Sequence, residues 1–164
     1  MKVFKIYIKI ITLVFIIIGF FYTSSAKSLD KFNKADRVSS YFSGVLLLNE
    51  NKYEKSSNFL KKLNGLEARH PNYSVKYLYS LVNSGNIKKA IDFSKKLEKQ
   101  KMDIFESQLM LGIFYLKNSD SKLAQKYFLK AKTGDTRFIL NKYLANSLYN
   151  WAGIESSDLI QATS

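Results

Sequence analysis

The one histidine of the chain, His70, stands in the stretch Glu-Ala-Arg-His-Pro-Asn that ends at Asn72. A metal ligand or a general base needs converging partners, and the sequence has neither a second histidine nor any cysteine. His70 therefore reads as a surface loop residue, held beside Pro71. Glu50 and Glu54 are four apart, but a turn signal separates them, which spoils the pair as general acid and base. The Asn-Ser-Gly-Asn stretch at 83–86 lacks the lysine and spacing of a phosphate loop and reads as a hairpin turn. No catalytic residue, cofactor site or metal site is expected, and the chain is not expected to be an enzyme. The absence of cysteine also removes disulfides and thiolate nucleophiles.

The ends and the charge say where such a chain would work. Lys2, Lys5 and Lys9 precede 13 uncharged residues, Ile10 to Tyr22, and Thr-Ser-Ser-Ala comes next. That order of basic, apolar and small residues describes a secretory signal peptide over 1–26, cleaved after Ala26. The alternative is an uncleaved inner-membrane anchor, since 17 residues from Ile6 carry only Lys9 as a charge. Either way the remainder is expected outside the cytoplasm, in the periplasm or tethered to its inner boundary. The full chain carries a formal charge of +13; without its first 26 residues, 23 basic and 13 acidic residues leave +10. The lysines are dispersed, as in Asn-Phe-Leu-Lys-Lys-Leu, which fits a solvated surface or attraction to anionic headgroups better than nucleic acid.

Beyond residue 36, which closes a short linker over 27–36, positions recur at a step of 34. Small residues Ser56, Ala90 and Ala124 share one column, and Gly44, Leu78 and Gly112 another. Leu47, Leu81, Tyr115 and Tyr149 form a third, and Leu63, Leu97 and Ala131 a fourth. Polar breaks fall in near register at 49–52, 83–86 and 118–121. Within Ser107–Lys132, apolar residues recur at three and four, as in Leu109, Gly112, Ile113 and Leu116, the signature of an amphipathic helix. One helical hairpin cannot bury both its faces, so units of this kind stack.

The period and residues resemble the tetratricopeptide repeat, as carried by exported bacterial proteins of that family. Leu111-Gly112, Tyr115, Ala124, Phe128 and Ala131 fall where the family has Leu-Gly, Tyr, Ala, Phe and Ala. Departures are Gln108 for the early Trp, Thr136 for the late Pro, and Leu78 and Ser94 where Gly and Phe would stand in the middle unit. The resemblance implies an all-α, right-handed solenoid of antiparallel helix pairs. Its units fall at about 37–70, 71–104 and 105–138, with a partial fourth at 139–164.

The resemblance further implies that first helices line a concave groove where a protein or peptide partner binds. The positions facing that groove are Tyr41, Val45 and Asn49, then Asn72, Tyr79 and Asn83, then Leu109, Ile113 and Lys117, then Tyr143, Asn150 and Trp151. Any of these aromatics could equally be packing residues. The carboxylate clamp of some family members is not expected, since Tyr41, Val45 and the acid Glu106 replace the bases and amide it needs. A non-enzymatic interaction module or scaffold of the cell envelope is the expectation. The alternative is a basic envelope-surface or membrane-associated protein acting through charge. At the C-terminus, Leu140, Leu144, Leu148 and Trp151 give a further first helix, but the residues remaining after it are too few for a full second helix. The uncapped end is expected to rest on a partner or on a copy of itself, or else to belong to a longer repeat protein.

Overall fold

The structure is a computed structural model that describes residues 34–134 and 138–162, with side chains up to Ile154. The expected signal peptide lies outside the described residues. All regular structure among the described residues is helical. Helix α1 covers residues 34–49, and α2 spans Tyr53–Lys61, α3 Pro71–Asn83 and α4 Ile87–Lys99. Then come α5 Phe105–Lys117, α6 Ser121–Thr133 and α7 Ile139–Ala162. Residues 34–36, expected in the linker, are already helical.

Three short turns repeat one geometry at the 34-residue step. Asn51, Gly85 and Ser119 have φ of 58°, 74° and 59°, in the left-handed region. After each, the amide of Lys52, Asn86 or Asp120 donates to the carbonyl of Leu47, Leu81 or Tyr115 at 2.8–2.9 Å. The amides of Asn51, Gly85 and Ser119 donate to Leu48, Val82 and Leu116. This pair of bonds satisfies carbonyls that a helix end would leave open, with a left-handed residue just past the helix. Glycine takes that conformation at little cost, and Asn more readily than most others. The next helix starts with little side-chain help, except that Asp120 accepts from the Leu123 amide at 3.0 Å. Pro71 opens α3, where its missing N–H is not needed.

Each turn joins two antiparallel helices whose contact is set by a complementary pair of sizes. Gly44 lies against Leu60: a Cβ added to it would come within 2.7 Å of that side chain. Gly112 lies against the Phe128 ring, and a Cβ there would meet ring atoms well inside 3.0 Å. The middle unit carries Leu78 and Ser94 at the same two positions, both buried, and the Ser94 hydroxyl donates to the Ala90 carbonyl at 2.9 Å. The small column Ser56, Ala90 and Ala124 is fully buried, and Ser56 donates across to the Gly44 carbonyl at 2.7 Å.

Each helix from α2 onward packs on the next, while α3 touches α5 and α5 touches α7. One core cluster joins Leu60, Leu63, Tyr73, Leu78, Leu81, Ala90, Phe93 and Leu97, and Ile104 and Met110 pack against it. A second gathers Ala124, Phe128 and Ala152 with Leu109, Tyr115, Leu116, Leu148 and Tyr149. Second helices are also tied at the repeat step: Lys96 reaches Asn64 on one pair, and Lys130 reaches Glu98 at 3.1 Å on the next. The chain is thus all-α with a repeat-like architecture.

The end of the array departs from the pattern. Gly153 stands 34 residues after Ser119, yet α7 runs through it to Ala162 as one helix of 24 residues. The last segment therefore extends the helix where the sequence suggested only a short remnant. Of the four apolar residues read there, Leu148 packs inward, whereas Leu140, Leu144 and Trp151 are exposed. The inward face of α7 is instead made by Ala145 and Ala152, both fully buried.

Candidate binding groove

First helices α1, α3 and α5 enclose a cavity of about 480 Å³. Its wall is mostly apolar: Leu48 from α1, Val75, Leu78, Tyr79 and Val82 from α3, and Leu109, Met110 and Ile113 from α5. Lys76, Asn83 and Glu106 supply the polar groups. Spacings of three and four bring Val75, Tyr79 and Val82 to one side of α3, and likewise Glu106, Leu109, Met110 and Ile113 on α5.

Two large apolar residues of this wall remain open to solvent, Tyr79 at 52% and Ile113 at 46% exposure. Tyr79 is held edge-on by Tyr53 of α2, ring centres 6.0 Å apart. The Asn83 amide donates to the Tyr79 carbonyl at 2.9 Å, which anchors the side chain at the lip of the cavity. An apolar trough with amide and charged groups at its margin can take up an apolar side chain while a neighbouring backbone is met by polar groups.

Of the sequence candidates, Tyr79, Asn83 and Ile113 come together here, with Leu109 and Glu106. Tyr41 lines a different cavity of about 340 Å³, with Arg37, Val38, Phe42, Leu63, Leu66 and His70. Asn49 and Lys117 are exposed at the C-terminal ends of α1 and α5, and Asn72 is exposed at the start of α3. Tyr143, Asn150 and Trp151 are exposed on α7. Val75, Lys76, Val82 and Met110 line the cavity, although the sequence does not single them out. The register held the signal: subtracting 34 from Leu109 gives Val75, and from Met110 gives Lys76.

Away from the groove wall, polar clusters tie helices and loops together. Glu67, 1% exposed, accepts from the Gly65 amide and from Lys96, each at 2.8 Å. Burial first, and then the Glu67 charge, push the Tyr73 hydroxyl well above its ordinary range, and Tyr77 moves up for the same two reasons. Tyr73 thus stays a neutral donor, and it bonds the Leu60 carbonyl at 3.1 Å. Burial works against the charge of Glu98, but bonds from Tyr127 at 2.8 Å and Lys130 outweigh it and hold the carboxyl below the usual range.

Gln108 is buried, and its amide donates to Asp103 at 2.7 Å. Its carbonyl oxygen and the Ser74 hydroxyl, 34 residues earlier, lack hydrogen-bond partners among the described residues. His70 is exposed just before α3. Among the described residues there is no group of three or more His, Cys, Asp or Glu placed to hold a metal ion. No helix among the described residues is long and apolar enough to cross a membrane.

Fold and site together define an all-helical, repeat-like protein with an apolar groove between alternate helices. No known family's model matches the chain, and no curated protein matches its sequence.

Proposed function

We propose that the chain is a tetratricopeptide-like solenoid that acts without catalysis, holding an apolar segment of a partner protein in the groove between α1, α3 and α5. The observation that carries this reading is the apolar cavity walled by three alternate helices, with Tyr79 and Ile113 left open at its surface. Exposed large side chains beside a preformed concavity are what a docking segment covers. The N-terminal basic, apolar and small-residue segment supports export, and with it an activity in the periplasm or at the inner membrane.

The test is affinity capture from an envelope extract, with the wild type and a Tyr79→Ala/Ile113→Asp variant as baits. Partners recovered by the wild type should fall at least tenfold in the variant while its helical content is retained. Equal recovery would sink the groove. The bait in that extract should begin at Lys27, and an intact chain from Met1 in the cytoplasm would refute export.

One observation favours a second reading. Lys55, Lys61, Lys62, Lys88, Lys89, Lys99, Lys122 and Lys126 are all exposed on the second helices or just past their ends. Attraction through that basic surface to anionic headgroups would weaken steeply between about 50 and 500 mM salt, whereas groove binding would not. Running the capture at both salt concentrations separates the two.

A further inference from the structure

The exposed side of α7 carries Leu140, Leu144, Ser147, Trp151 and Ile154, spaced four, three, four and three apart. That alternation of four and three is the spacing of a coiled-coil seam. The core-facing side is already made by Ala145, Leu148 and Ala152, so α7 is apolar on two faces. Exposure along the seam is 75% for Leu140, 46% for Leu144, 62% for Trp151 and 59% for Ile154, with Tyr143 beside it at 65%. None of these residues lines the groove between α1, α3 and α5.

We infer that α7 pairs with α7 of a second copy, antiparallel along this seam. Two features select a second copy in that orientation. Between Leu144 and Ile154 the seam is self-complementary: an antiparallel copy in register sets Leu144 against the partner's Ile154 and Trp151 against the partner's Ser147. The largest side chain of the seam thus meets its smallest. A parallel pair would instead stack Trp151 on Trp151.

The area is the second feature. The exposed parts of the four seam residues and Tyr143 amount to on the order of 600 Å² per copy, so full burial removes at most about 1,200 Å² in total, the lower edge of the range for stable specific interfaces.

The chain has one tryptophan and no cysteine, so each test has a clean background. The full chain should sediment as a dimer at about ten micromolar, and its Trp151 emission should shift to the red on dilution as the seam opens. Trp151→Lys should weaken the dimer at least tenfold while keeping the helical spectrum and the apolar N-terminal segment. Mixed under mild oxidation, Leu144→Cys and Ile154→Cys chains should give the heterodimer as the main cross-linked product. Homodimers of either single-cysteine chain would overturn the antiparallel order. A monomer at that concentration, with an emission spectrum independent of dilution, would overturn the pairing.

Discussion

Gly112→Leu should strongly destabilise the fold, and Phe128→Ser should do the same, but the two together should cost less than their sum by at least about 2 kcal/mol. The expectation rests on the size exchange within the hairpins. At Gly112 a Cβ already meets the fully buried Phe128 ring, so a leucine there forces the ring or a helix to move, at about 3 kcal/mol. Removing the ring alone empties a packed site, at about 3–5 kcal/mol. In the double variant leucine fills the space from α5, as Leu78 does in α3. The serine can bond its own helix, as Ser94 bonds the Ala90 carbonyl. Urea unfolding of the four proteins measures the coupling. Strictly additive costs would mean that the three hairpins do not share one packing scheme.

Lys96→Met should cost about 3 kcal/mol, or roughly 10 °C in melting temperature, although it removes only a partly exposed lysine. The reason is what remains behind. Glu67 is buried and would keep the Gly65 amide but lose the cation bonded to it. A stranded buried carboxylate costs far more than a surface ion pair contributes. Glu67→Gln/Lys96→Met should therefore recover most of the loss, since a neutral amide can still accept from Gly65. If the double variant is no more stable than Lys96→Met, Glu67 does not hold the α2–α3 connection in the way described.

Much of this architecture was legible in the sequence because its cause is local and recurs. The columns at Ser56, Ala90 and Ala124 and at Leu63, Leu97 and Ala131 are small or apolar because helices press together there, and all six are buried. The turns were legible from Asn51, Gly85 and Asp120, residue types that suit left-handed backbone or a helix start. Leu78 and Ser94 looked like departures from a pattern; as a pair they preserve it by exchanging large for small.

Other features depend on where whole helices lie, which spacing alone does not fix. Tyr41 has the spacing of a groove residue but lies against Leu63 and Leu66, because the loop after α2 folds over that side of α1. The bond from Lys96 to Glu67 joins a loop to a helix 29 residues away and has no periodic signature. At the C-terminus, Gly153 occupies the column of the turns, yet the helix continues, with Gly153 flush against Gln125 of α6. Spacing placed Leu140 and Leu148 on the same apolar helix; only packing separates the inward Leu148 from the exposed Leu140.

The groove itself is best tested by placing a photo-cross-linking amino acid at single positions of the full chain in living cells. Substitution at Tyr79 or Ile113 should give the same discrete adducts with another protein, while substitution at Lys89 on α4 should give none of them. Adducts from Lys89 alone, or none from Tyr79 and Ile113, would contradict a partner segment held between α1, α3 and α5.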